Sequence, residues 1–110
     1  MDKSIQALAR YAHQLQFEDL PADVVREAKR RFIDTIGCAI GGYDAEPSRI
    51  ARAPAGRCTG TPGARVFGSL AATSLEQAAF ANGVALRYLD FNDAYLTRSS
   101  GHPSDTLAAA

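Results

Sequence analysis

The chain has 110 residues, 46% apolar and 22% charged, which suits one globular domain with a modest core and excludes a disordered chain. Twelve lysines and arginines balance twelve aspartates and glutamates, a formal net charge of zero. The basic footprint of a nucleic-acid binder is therefore missing, and no apolar run is long enough for a membrane-spanning helix.

Cys38 and Cys58 stand twenty residues apart without metal-ligand neighbours, so both read as small core residues of a reduced protein. The first residues, Met-Asp-Lys-Ser, carry no apolar leader, and a cytoplasmic location is expected.

In chain order, Ile5, Leu8, Ala9, Ala12 and Leu15 recur at helical spacing and predict an amphipathic first helix. His13, on the same segment, has no partner and reads as a surface group. Phe17 to Leu20 turns the chain. Pro21 suits the first position of a second helix, where its missing N–H is not needed. Val25, Ala28, Phe32, Ile36 and Ala39 or Ile40 extend that helix, with Asp34-Thr35 inside it as structural residues. Arg26, Lys29, Arg30 and Arg31 give it a solvated basic face. Gly41-Gly42 stops it through the left-handed conformation that glycine adopts at helix ends.

Pro47, Pro54, Gly56, Gly60, Pro62 and Gly63 then leave room for one short helix near Ser48 to Ala53. Residues 59–63 read as an exposed turn and 64–68 as a short extended piece. Thr73 with Glu76, or Ser74 with Gln77, has capping-box spacing for a helix from Leu75 to about Tyr88. That helix is apolar nearly all round, which predicts a central position, with Asn82-Gly83 marking close packing. Thr97 to Gly101 is a loop, and His102-Pro103-Ser104-Asp105 opens another helix. Pro103 suits its first position and Asp105 its positive end. Thr106 to Ala110 are helix formers without a cap, so the chain is expected to be cut inside an element.

Chemistry concentrates between Asp90 and Asp105. Two carboxylates, an asparagine and a histidine follow the buried helix directly. His102 at a helix start could handle a proton while a substrate carboxylate sits on the backbone N–H groups. On spacing alone the capping and hydrogen-bonding reading of the same residues is favoured over the chemical one, because structural networks also gather such groups. Tyr11, Tyr43, Tyr88 and Tyr95 form no stacking platform for bases. Glycine-rich nucleotide loops and a nucleophile elbow are missing too.

Taken together, these segments resemble the MmgE/PrpD family. Leu20-Pro21-Ala22-Asp23-Val24-Val25 and Ile33-Asp34-Thr35-Ile36-Gly37-Cys38 resemble its N-terminal helical hairpin. Ala79-Phe80-Ala81-Asn82-Gly83-Val84-Ala85 with Leu89-Asp90-Phe91-Asn92-Asp93 resembles its most recognisable motif, and Gly101-His102-Pro103-Ser104-Asp105 the loop that comes next. Phe91-Asn92-Asp93 and the longer loop resemble the 2-methylcitrate dehydratase branch.

The resemblance implies an all-α fold: the truncated N-terminal part of a helical-bundle domain, with a separate lid domain absent. It implies a metal-independent hydro-lyase acting on a small polycarboxylate, with no cofactor, and a homodimer in the full-length enzyme. Asp90 and His102 match positions that line the family's active site, with Asp93 and Ser104 as substrate-binding candidates. Ala94 stands where a threonine is common, so a hydroxyl contact is missing. Further active-site residues, a lysine and other histidines, are expected beyond Ala110, which leaves this chain alone inactive. Two alternatives remain: a cis-aconitate decarboxylase, isomerase or epimerase of the same fold, and a non-catalytic helical interaction module. The helix from Leu75 and the segment after Pro103 lack neighbours for their apolar surface, which predicts weak stability or self-association.

Overall fold

Residues 2–60 and 63–110 are described by the computed structural model. Four α-helices dominate them: α1 (Lys3–Gln14), α2 (Ala22–Gly42), α3 (Glu46–Ala55) and α4 (Leu75–Arg87). Phe17–Asp19 and Pro103–Ala108 form 3-10 helices. The extended pieces β1 (Ala64–Arg65) and β2 (Ala72–Thr73) pair antiparallel, Ala64 opposite Thr73 and Arg65 opposite Ala72. The all-α class follows, with the hairpin a small appendage. Thr61 and Pro62, in the turn expected over 59–63, lie outside the described residues.

Local chemistry explains the boundaries. The Asp2 carboxylate accepts from the Ser4 N–H at 2.6 Å and starts α1. Pro21 is the residue before α2 rather than its first helical residue. Of the two capping registers at α4, the structure uses Ser74, whose hydroxyl accepts from the Gln77 N–H at 3.3 Å. The segment after His102 winds as a six-residue 3-10 helix instead of an α-helix.

Gly41 and Gly42 act differently from the expectation. Both stay within α2, and the positive-φ glycine among the described residues is Gly68. What they provide is closeness. A Cβ on Gly41 would lie 2.7 Å from Leu89 Cδ1, and one on Gly42 would run into the Ala85 carbonyl oxygen and approach Tyr88 Cβ to 3.1 Å. α2 therefore crosses α4 almost backbone to backbone.

α4 is the hub, touching α2, α3, β1 and the last 3-10 helix. Its buried residues are mostly small: Ala78, Ala81 and Ala85, with Leu86 as the one large apolar anchor, 1% exposed. Ala81 packs with Ala51 and Ala55 of α3 and with Val66. A core of alanines lets helices approach closely but removes little apolar area per residue from water. The outer face is not buried: Leu75 and Phe80 are exposed. The helix expected to be apolar nearly all round is thus central on one face only.

α1 shows the opposite outcome. Its stripe is amphipathic as predicted, yet Ile5, Leu8 and Tyr11 are exposed and the helix buries no residue. Uncovered apolar side chains lie here, on Phe32, Ile33 and Ile40 of α2, and also on Leu75, Phe80 and Tyr88 of the helix singled out from sequence. Cys38 is buried, Cys58 half-buried, and both are free thiols.

Asn82 explains how the hairpin is held. Its Oδ1 accepts from the Phe67 N–H at 2.9 Å, and its Nδ2 donates to the Arg65 carbonyl at 3.1 Å. One amide thus satisfies the acceptor at the end of β1 and a donor two residues beyond it, tying this segment to α4. Asn82→Ala should cost roughly 1–2 kcal/mol in chemical denaturation, less than two fully buried losses because exposed Arg65 leaves a path for water. An unchanged midpoint would show that the clamp contributes nothing.

Candidate functional site

The loop from Asp90 to Asp105 emerges from the end of α4 and closes back on it through the 3-10 helix. It begins with an unusual backbone: Asp90 has φ +53, the left-handed region that aspartate tolerates better than most residues. The Asp90 N–H donates to the Arg87 carbonyl at 3.1 Å. Its carboxylate accepts from Arg87 Nη2 at 2.6 Å. Asp90 Oδ1 therefore faces α4, while most of the side chain stays in solvent, 75% exposed.

Asp93 lies inward, its side chain 3% exposed. Oδ1 accepts from the Ser104 N–H at 3.2 Å, and Oδ2 is 3.7 Å from Arg31 Nη1 on α2. Asp93 also supplies its carbonyl oxygen to His102 Nδ1 at 2.7 Å. A carbonyl oxygen only accepts, so this bond requires the proton on Nδ1. In the neutral imidazole Nε2 then keeps its lone pair. One residue thus fixes both the start of the 3-10 helix and the tautomer of the histidine.

His102 occupies the N-cap position without capping by its side chain. Its orienting partner is the Asp93 backbone, whereas the Asp90 carboxylate is paired with Arg87. Ser104 is 2% exposed, and its hydroxyl and the Asn92 amide nitrogen are buried without a partner among the described residues. Ala94 is exposed and Phe91 largely so. The structure accordingly brings Asp93, His102 and Ser104 into one network and leaves Asp90 beside it on Arg87.

Arg87 and Arg31 are the residues that the sequence reading did not select for this region. Arg87 reaches Asn92 Oδ1 with Nη1 at 3.1 Å and Asp105 Oδ1 with Nε at 3.2 Å, besides Asp90. The available signal was a basic residue in the last helical turn, three positions before Asp90, where helix C-termini favour cations. Arg31, grouped with a solvated basic face, does pair with Glu27 at 2.8 Å but turns its other edge to Asp93.

Cys38 adds a titration beneath this site. Burial pushes its thiol above the ordinary value of 9.0, Asp34 adds to the rise, and Arg87 opposes it. The native thiol stays neutral while the unfolded thiol ionises. The stabilisation is therefore full below about pH 9 and is lost as pH rises through the higher native value. Thermal melts between about pH 8 and 10.5 should show an alkaline decline that Cys38→Ala reduces. Identical slopes would remove Cys38 from this account.

The described residues contain no group of three or more His, Cys, Asp or Glu side chains suited to a metal ion. No described helix is long and apolar enough to cross a membrane.

Comparison with known proteins adds a family pattern. A model described as the MmgE/PrpD N-terminal domain matches residues 6–110. The chain is 34% identical over 107 residues to a mitochondrial 2-methylcitrate dehydratase of Yarrowia lipolytica, covering 96% of this chain and 20% of that protein. It is 36% identical over 110 residues to an alkylcitrate dehydratase of a fungal species, covering 98% and 21% respectively. With the 2-methylcitrate dehydratase of Salmonella typhimurium it shares 40% over 76 residues, 68% of this chain and 16% of that one. The chain spans about a fifth of the length of the first two relatives. No solved structure matches it.

Proposed function

The chain belongs to the MmgE/PrpD family, and from that premise we propose that it is the N-terminal helical part of a 2-methylcitrate dehydratase. The observation that supports this most is the fixed imidazole: Nδ1 of His102 is held by the Asp93 carbonyl, which leaves Nε2 able to exchange a proton. The relatives' names supply the substrate class, a tricarboxylate bearing a β-hydroxyl.

In the proposed reaction a proton leaves the carbon beside a carboxylate, and that C–H electron pair becomes the new C=C bond. The C–O bond to the β-hydroxyl breaks, and the protonated oxygen departs as water. The products are 2-methylaconitate and water. His102 Nε2 is the acid/base group. Asp90 binds the substrate hydroxyl from its exposed position. Asp93 and Ser104 enter through the loop they hold in place, because the Asp93 carboxylate already serves the Ser104 N–H and Arg31. Remaining groups that neutralise substrate carboxylates, the lid, a homodimeric assembly and a cytoplasmic location belong to the same proposal for the complete enzyme.

The test joins this chain, in place of the matching N-terminal segment, to the rest of the Salmonella typhimurium relative. Ultraviolet absorbance follows formation of the unsaturated product. The fused protein should dehydrate 2-methylcitrate faster than citrate and should not decarboxylate cis-aconitate, whereas the chain alone should show no turnover. A folded fusion that instead decarboxylates cis-aconitate would replace the dehydratase reading. Turnover by the chain alone would overturn the incomplete site.

A further inference from the structure

We infer that Arg87 is the positioning residue of the site, locking the Asp90–Asp105 loop so that His102 keeps one tautomer. This rests on the reading of His102 as the acid/base group, but its structural half stands apart from catalysis. The guanidinium reaches three points with three different nitrogens: Nη2 to Asp90 Oδ1 at 2.6 Å, Nη1 to Asn92 Oδ1 at 3.1 Å, and Nε to Asp105 Oδ1 at 3.2 Å.

These three partners, two bonded and Asp105 ion-paired, mark the beginning of the loop, its buried part and the first turn of the 3-10 helix. Asp105 in turn donates its N–H to the His102 carbonyl at 3.0 Å. His102 is thereby held from both sides: its imidazole by Asp93 and its backbone through Asp105, which Arg87 fixes. Asp90, in the left-handed region, needs an interaction that keeps its carboxylate turned toward α4, and Arg87 provides it.

The arrangement requires arginine. A planar guanidinium donates to two separated acceptors, Asp90 and Asn92, while holding Asp105 as an ion pair, whereas an ammonium is a point charge on a flexible stem that cannot present the same geometry. Partial exposure of the Arg87 side chain, 30%, keeps the stabilisation modest. The contribution is therefore chiefly geometric, and the proper readout is the imidazole rather than the melting temperature.

Nitrogen-15 spectra of the histidine rings in the 110-residue chain, at a pH where both are neutral, test this. His13, exposed on α1, is the internal reference. In the unsubstituted chain His102 should show one protonated and one unprotonated ring nitrogen. Arg87→Lys should move both toward averaged values while His13 stays unchanged. Asp105→Ala, at an exposed position, should produce a smaller shift in the same direction. If Arg87→Lys loses helical circular dichroism, Asp105→Ala decides. A fixed His102 tautomer in every variant that folds would overturn the inference. Turnover of the fused enzyme separates this from the reading beneath it: a loosened tautomer with full activity after His102→Ala would sink the catalytic role and leave the positioning intact.

Discussion

Replacing His102 with alanine in the fused enzyme should lower kcat by roughly 10²–10⁴ while KM changes only a few-fold. The size follows from what is lost. A positioned acid/base group acts mainly in the transition state, so its removal weakens transition-state stabilisation more than ground-state binding. The fold should survive, because His102 is only half-buried and contributes one part-buried side-chain hydrogen bond, to the Asp93 carbonyl. His102→Gln sharpens the experiment: it preserves a donor for the Asp93 carbonyl but supplies no group that titrates near neutral pH. Both variants should be similarly impaired. Recovery by glutamine would reduce His102 to a loop strut, and wild-type turnover by alanine would remove it from the chemistry altogether. Asp90→Asn should have a smaller effect, since an amide oxygen can still accept from Arg87 and the side chain can still meet a hydroxyl.

What could be read without coordinates depended on range. The apolar spacing of α2, the Ser74 cap of α4 and the short helix around Ser48 are local properties, and each appears where the chain's own chemistry puts it. Periodicity, however, reports which face of a helix is apolar and not what covers it. α1 therefore looked as core-directed as α2 and yet buries nothing. Asn82 shows the same limit from the other side: its partners are fifteen and seventeen residues away in sequence, so a buried amide clamp was indistinguishable from a polar interruption. The candidate site was legible as a polar segment after a buried helix. Its internal wiring was not, because residue types alone do not reveal that His102 bonds to a backbone carbonyl while Asp90 bonds to Arg87. Charge pairs three apart on a helix end are readable in principle, and Arg87 with Asp90 was one. Asp105, eighteen positions beyond Arg87, was beyond any local pattern.

Gly42→Ala and Gly37→Ala, both within α2, should change stability in opposite directions. At exposed, mid-helix Gly37 the substitution gains intrinsic helix propensity, about 1 kcal/mol, and at Gly42, buried at the last position of α2, it gains less. At Gly37 nothing lies within 4 Å of the added methyl, so that gain should appear almost intact. At Gly42 the methyl would run into the Ala85 carbonyl oxygen and crowd Tyr88 Cβ. A side-chain tip could rotate away, but a backbone carbonyl in the last turn of α4 can yield only if the two helices separate. Overpacking of this kind costs about 1–3 kcal/mol and occasionally more, and backbone on the receiving side argues for the upper end. The net expectation is a loss of about 2 kcal/mol for Gly42→Ala and a gain of about 0.5–1 kcal/mol for Gly37→Ala, read from denaturant midpoints with m unchanged. Thermal midpoints should separate correspondingly, by roughly 4–8 °C per kcal/mol for a domain of this size. Equal shifts in the two variants would mean that glycine in α2 matters through propensity alone. Opposite shifts would locate the cost in the α2–α4 crossing. The same crossing sets how far Arg31 on α2 stands from Asp93, so Gly42→Ala should also lengthen that 3.7 Å pair and weaken the loop that holds His102.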